Sequence, residues 1–209
     1  MINKETKLYG SFSENPGNNG CIFFNNAFEK YEINAIYKSF YADNLENVIN
    51  AVKTLRFSGF ALSMPFKIEI LKYLDDIQDS AKEIGSVNTV VIENNKLYGY
   101  NTDYIGALNY FSDISLGKSL NIIGNGGFSK AIQYACKISN IEFKIFNRQD
   151  IDRIKTINNE IFFNATPAEI TSVDNTIIDG RPFTVDGKKI AYYQAKHQFK
   201  IYTNIEYES

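Results

Sequence analysis

The sequence predicts an α/β protein in two parts, and three observations carry that prediction. Helical and extended periodicities alternate through the first hundred residues, as in βα units built around a sheet. From residue 119 a short apolar strand runs into a glycine turn and straight on into a helix, SLNIIGNGGFSKAIQYACKI. Apolar residues make up 44% of the 209-residue chain and aromatics 14%, enough to furnish a core in each part.

Taken in order, the first element with a clear face is LENVINAVKTL, where Leu45, Val48, Ile49, Val52 and Leu55 recur at helical spacing. The apolar run 60–64, between Gly59 and Pro65, reads as a strand. Helical spacing resumes over 67–77 through Ile68, Leu71 and Leu74. Residues 87–103, VNTVVIENNKLYGYNTD, read as two strands joined by an asparagine-rich hairpin turn at 93–96. These strands are apolar enough to be covered on both faces. In the second part, IEFKIFN follows the glycine-turn helix as a second strand. EIFFNATPAE gives another strand-to-loop junction, NTIID a last short strand, and the tail KKIAYYQAKHQFKIY is helical. The division expected is residues 1–103 joined by a C-terminal helix at 188–209, and residues 104–187 as a second domain.

Composition removes several kinds of chemistry. A net charge of −2 leaves no electrostatic footprint for nucleic acid. No window approaches 18 uncharged apolar residues, and MINKETKLYG lacks the apolar core of a signal peptide, so no membrane partner is expected and the expected location is cytoplasmic. Cys21 and Cys136 lie far apart with no CxxC spacing, which fits a reducing compartment and two buried thiols. The single histidine, His197, stands in the tail with no nucleophile elbow anywhere, and no Cys/His cluster has metal-ligand spacing, so no metal site is expected. Lys, Asp, Asn, Gln, the backbone or a cofactor must carry any chemistry.

Three stretches are placed to do so. GNGGFSK sits directly after a strand and opens a helix, where glycines let the backbone approach a pyrophosphate and the helix N-terminus favours its charge. In a Rossmann-type unit the residue just past the next strand meets the adenosine ribose. There an acid prefers NAD and a base accepts the 2′-phosphate of NADP. Here that junction reads FNRQDID: Arg148 suits the phosphate, while Asp150 leaves NAD an alternative. GFALSMPFK delivers Lys67 at the end of an apolar run, either as the solvated start of a helix or as a charge aimed into a cleft. Asn88, inside the apolar GSVNTV, must find partners, either structural ones or ligand hydroxyls. Asp103, closing NTD, reads as a helix cap.

In chain order PFK, GSVNTV, YGYNTD, GNGG, NR, NATP and Tyr193-Gln194-Ala195 resemble the shikimate dehydrogenase family over nearly the whole chain. The resemblance implies an N-terminal α/β substrate domain, a reduced Rossmann-type NADP-binding domain, and an active site in the cleft between them. It implies an oxidoreductase of aromatic amino acid biosynthesis, on the chorismate pathway, that reversibly reduces 3-dehydroshikimate to shikimate without a metal, as a monomer or homodimer. Carried over, Lys67 and Asp103 are the catalytic pair, and Ser63, Asn88, Gln194, Ser11 and Ser13 contact substrate. Gly124, Asn125, Gly126, Gly127, Phe128, Asn147, Arg148, Asn164 and Thr166 contact cofactor.

The sequence also departs from the family. Ala61 stands where the family has an asparagine amide, and Phe24 where it has a histidine. Asn18 and Gly20 align with the two serines that bind the substrate carboxylate. The match after NATPAE is compressed, with Gly180-Arg181 where a tyrosine falls and one helix missing. Two alternatives follow: a dehydrogenase of quinate or another polyhydroxy acid, or a ligand-binding relative without turnover.

Overall fold

The computed structural model describes residues 2–154 and 156–208, with the side chains of Arg148 and Ile151 outside the described part. The chain forms two compact units, Met1–Thr102 with Ala195–Ser209, and Asp103–Gln194.

The first unit is built on a six-stranded sheet. Its elements are β1 (Lys7–Ser13), α1 (Asn19–Lys30), β2 (Ala35–Tyr41), α2 (Leu45–Thr54), β3 (Gly59–Leu62), α3 (Phe66–Glu69), β4 (Asp76–Ile77), α4 (Asp79–Ile84), β5 (Thr89–Glu93) and β6 (Lys96–Tyr100). The strand order is β2-β1-β3-β5-β6-β4. β1 runs parallel to β2 and β3, whereas β5 is antiparallel to both β3 and β6. Of the helical face read from the sequence, α2 buries Leu45, Val48, Ile49 and Val52, each at most 6% exposed and packed with Phe12, Phe60 and Leu97, whereas Leu55 follows the last helical residue and is 59% exposed. Burial of one such side chain stabilises by roughly 1.5–3 kcal/mol. The hairpin turn is also as expected, with Asn94 and Asn95 at φ 51° and 62°, the left-handed geometry that a two-residue turn requires.

Residues 67–77 do not form the single helix expected. α3 is one turn long, a 3-10 turn follows at Ile70–Lys72, and the chain then extends into β4. The cause is the side of β6: Asp75 donates its N–H to the Leu97 carbonyl (2.9 Å) and its carboxylate accepts the Leu97 N–H (2.8 Å). That pairing draws 75–77 out as a strand, and apolar spacing alone does not register it.

The second unit contains α5 (Asp103–Asp113), β7 (Ser119–Ile123), α6 (Gly127–Ile138), β8 (Glu142–Phe146), α7 (Ile151–Ile154), β9 (Ile161–Asn164), β10 (Thr176–Asp179) and the start of α8 (Val185–Thr203). Its sheet is wholly parallel, in the order β10-β9-β7-β8. This is a Rossmann-type sheet reduced to four strands, with the change of winding direction between β7 and β9. One boundary needs correction. α8 does not belong wholly to the first unit: Ile190 and Tyr193 join the core of the second, while Phe199 and Tyr202 join an aromatic cluster of the first with Tyr9, Phe24, Phe28 and Tyr37. A 19-residue helix is long enough to serve two cores in succession.

Candidate active site

In the first unit, register brings the predicted residues to one end of the sheet. Ser11 lies level with Ala61 across β1 and β3, Ala61 with Thr89 across β3 and β5, and Thr89 with Tyr100 across β5 and β6. β1 and β3 end here, β5 begins here and β6 ends here. Ser13, Ser63, Asn88 and the run Asn101-Thr102 therefore fall at the same edge, the carboxyl end of the parallel strands, where open α/β sheets bind ligands. Ser63 is exposed, Ser13 is buried, and Ser11 donates to or accepts from Ser39 through their hydroxyls at 3.0 Å. Ala61 is half-buried in this row, so the side chain that the family would place here as an amide is a methyl.

Lys67 enters the same edge from α3. Phe66, 2% exposed, anchors the turn in the core, and the Lys67 carbonyl accepts the Val87 N–H at 2.8 Å. That bond ties the lysine's backbone to the segment bearing Asn88, and Lys67 is half-buried as the second residue of the one-turn α3.

Asn88 is 1% exposed and is the centre of a buried polar network. Its carboxamide oxygen accepts the Thr102 N–H (2.8 Å) and the Thr89 hydroxyl (3.0 Å), and its nitrogen donates to the Thr102 hydroxyl (3.0 Å). Gln198 donates to Thr89 from α8 at 2.8 Å. Thr89, Thr102 and Gln198 were not singled out from sequence as members of this network, although GSVNTV and NTD contain the two threonines. The signal available was the clustering of hydroxyls and amides in otherwise apolar strands, which must satisfy one another when buried. Asp103, 1% exposed, is the first residue of α5 and follows Thr102 directly. It therefore opens the helix rather than preceding it as a cap.

The N-terminal departures have physical causes. Asn18 is exposed at the cap position of α1 and makes no side-chain cap bond. A Cβ on Gly20 would come 3.0 Å from the Tyr37 ring, so a serine there would press on a buried tyrosine. Tyr37 in turn stacks on Phe24 with centroids 4.5 Å apart, which explains an apolar ring where the family has histidine. Cys21, expected buried, is half-buried beside the Ser39 hydroxyl, while Cys136 is fully buried as expected. The exposed start of α1 leaves Cys21 partly open.

In the second unit the glycine turn lies at the point where the sheet changes direction. Gly124 has φ 111°, and a Cβ there would lie 2.9 Å from the Thr166 methyl, so both conformation and space require glycine. Its carbonyl accepts the Ser129 hydroxyl at 2.7 Å, closing the turn onto the first turn of α6. Asn125 and Gly126 are exposed, and a Cβ on Gly126 would meet nothing within 4 Å. Open space therefore lies over the N-terminus of a 12-residue helix, an arrangement that fits a dinucleotide pyrophosphate. Gly127 opens that helix and Phe128 packs on Phe163. Asn164, at the end of β9 level with Ile123, is fully buried and holds the next loop: its oxygen accepts the Thr166 N–H (3.0 Å) and hydroxyl (2.8 Å), and its nitrogen donates to the Ala168 carbonyl (2.8 Å).

At the end of β8 the Asp150 carboxylate accepts the Asn147 N–H at 2.7 Å, which engages that acid in closing its own turn. The side chain of Arg148 lies outside the described part. Further on, Arg181 grips Asp179 through a paired guanidinium contact (Nε and Nη2 to Oδ2 at 2.9 and 2.6 Å). The Asp179 N–H donates to Asp186 at 2.9 Å, so a compact loop leads from β10 directly into α8, with no helix between. Gln194 is half-buried on α8, the last residue of the second unit.

Sheet, switch point and edge residues together define a two-unit α/β protein whose second unit follows the dinucleotide-binding plan. A profile of the shikimate dehydrogenase substrate binding domain matches residues 20–90. A shikimate dehydrogenase-like protein of Haemophilus influenzae is 42% identical over 151 residues, covering 71% of this chain and 56% of the relative. An NADP(+) shikimate dehydrogenase of Pyrococcus furiosus is 44% identical over 148 residues, covering 68% and 54%. Among solved structures, the shikimate dehydrogenase of Aquifex aeolicus superposes with a TM-score of 0.79 at 29% identity, covering 100% of this chain and 96% of that one. The chain belongs to the shikimate dehydrogenase family. Its matches span between about half and two thirds of the length of the curated relatives.

Proposed function

We propose that the protein reversibly reduces 3-dehydroshikimate to shikimate with NADPH. The observation that carries this reading is the convergence of Ser11, Ser13, Ser63, Lys67 and Asn88 on one end of the first sheet, with Asp103 following directly on Thr102. When bound, NADPH supplies the hydride that turns the ring ketone into an alkoxide. The Lys67 ammonium opposes that growing negative charge and delivers the proton, and it takes the proton back in the oxidative direction. Asp103 is the acid paired with Lys67 in the reaction and holds the reacting hydroxyl. Asn88, whose oxygen is engaged by Thr102 and Thr89, holds the edge rigid and offers its amide to a ring hydroxyl. Ser63 and Gln194 hold further hydroxyls, and Ser11 and Ser13 hold the carboxylate. In the second unit Gly124, Asn125, Gly126, Gly127 and Phe128 take the pyrophosphate, Asn147 and Arg148 the adenosine 2′-phosphate, and Asn164 and Thr166 line the same crevice. Asp150, engaged by Asn147, supports NADP over NAD. The first unit, Met1–Thr102 with Ala195–Ser209, acts as the substrate half, and two free thiols support a reducing, cytoplasmic setting.

Nicotinamide absorbance with shikimate and NADP+ tests the reading. Turnover is expected, and Lys67→Ala is expected to lower kcat by orders of magnitude while changing KM less. A folded, cofactor-binding sample that reduces nothing would overturn it. Ala61 favours a second reading, the same hydride transfer on quinate or another polyhydroxy acid, because the row that faces substrate lacks one amide. A kcat/KM for quinate above that for shikimate would select it.

A further inference from the structure

The four-stranded sheet ends on β8, and the outer edge of β8 matches itself. In a parallel ladder, alternate residues of a strand turn both main-chain groups to one neighbour. The Glu142 N–H donates to the Lys118 carbonyl and the Phe146 carbonyl accepts the Gly124 N–H, both at 2.8 Å, so the even-numbered residues of β8 face β7. Phe143 and Ile145 therefore point their N–H and C=O groups outward, and no strand among the described residues receives them. Their side chains are 37% and 40% exposed, unusual for the second strand of a dinucleotide-binding sheet, which normally has a third strand beyond it.

What fits this edge can be read from residues 141–145, Ile-Glu-Phe-Lys-Ile. About Phe143 the segment is symmetric in hydrophobicity and opposite in charge. A second copy laid antiparallel, with the twofold axis at Phe143, sets Ile141 against Ile145, Glu142 against Lys144 and Phe143 against itself. The hydrogen-bonding parity agrees. Outward-facing Phe143 occupies the position where an antiparallel pair exchanges both bonds, and each Ile145 N–H meets an Ile141 carbonyl. Glu142 and Lys144 then occupy the positions where opposed side chains come closest, and neither makes an ion pair among the described residues. Sliding by two residues would oppose Lys144 to Lys144 or Glu142 to Glu142, so charge selects a single register. We propose that the protein forms a twofold homodimer through antiparallel pairing of β8 with β8, joining two four-stranded sheets into one of eight strands.

Sedimentation over a range of concentrations tests this with Glu142→Lys, Lys144→Glu and the double reversal, all at exposed positions and each checked for fold by circular dichroism. The wild type is expected to dimerise, and each single reversal to weaken the dimer about tenfold, since two symmetric pairs turn from attraction to repulsion. The double reversal is expected to restore it, and a mixture of the two single variants to form heterodimers in preference to either homodimer. Phe143→Pro, which removes only an outward N–H from the ladder, is expected to leave a folded monomer. A wild type that stays monomeric at every concentration, or a dimer indifferent to both single reversals, would overturn the proposal.

Discussion

Replacing Asn88 by alanine separates scaffold from ligand contact at the candidate site. Asn88, Thr89 and Thr102 are each at most 1% exposed, so water cannot replace what the carboxamide provides. The substitution strands the Thr102 N–H, which donates to Asn88 at 2.8 Å, at a cost of about 1–3 kcal/mol for an unsatisfied buried donor. Two further bonds, with the Thr89 and Thr102 hydroxyls at 3.0 Å, are worth about 1 kcal/mol each. The Thr89 and Thr102 hydroxyls already bond to each other at 3.3 Å and keep that bond, which limits the loss. The net expectation is a loss of about 2–4 kcal/mol, a large part of the roughly 5–15 kcal/mol that holds a typical domain folded. Urea denaturation followed by circular dichroism reads the loss as a lower midpoint at unchanged slope. A variant within about 0.5 kcal/mol of wild type would refute the argument that this amide is the structural hub of the edge. Activity lost with stability retained would assign Asn88 to ligand contact alone.

Three other outcomes follow from the same structure. Gly187→Ala would drive a Cβ into the Arg181 carbonyl oxygen, so the loop from β10 into α8 must shift; a loss of at least about 2 kcal/mol is expected in thermal or urea unfolding. Burial pushes the Cys136 thiol up to about 12, so a thiol-specific reagent should modify Cys21 in the native protein and Cys136 only on unfolding, with Cys21→Ser abolishing the native reaction. Burial first, and Lys200 next, hold His197 below its ordinary value, with Glu206 opposing. The unfolded chain thus binds more protons than the folded one just below the ordinary histidine range. Stability should be fully present above about pH 6.5 and fall as pH drops through that value toward the lower folded one, a dependence that His197→Gln should flatten in denaturation series from pH 8 to 5.

Local rules made part of this structure legible in the sequence. The turn at Asn94-Asn95 was readable because left-handed φ restricts residue choice, and the glycine turn because backbone and Thr166 both crowd Gly124. The α2 face was readable because four residues at helical spacing share one core. Long-range pairing was less visible. Ile68, Leu71 and Leu74 keep helical spacing across a chain that Leu97 pulls into a strand, and Ile68 is 41% exposed. The division of α8 was hidden because the helix runs on without a break, and only the partners of Ile190 and Phe199 distinguish its two halves. Candidates carried by motif, such as Lys67 and Asn88, could be placed at one end of the first sheet from sequence plus register. Their supports Thr89, Thr102 and Gln198 could not, since each is identified only by the group it meets across the fold.

The most direct measurement is the initial rate of nicotinamide reduction with shikimate and NADP+ for the wild type and for Lys67→Ala, with cofactor binding of both confirmed by calorimetry. The account predicts turnover by the wild type, a kcat lower by orders of magnitude in the variant, and equal cofactor affinity in the two. Equal rates in the two proteins, or no turnover by a wild type that binds NADP+, would contradict it.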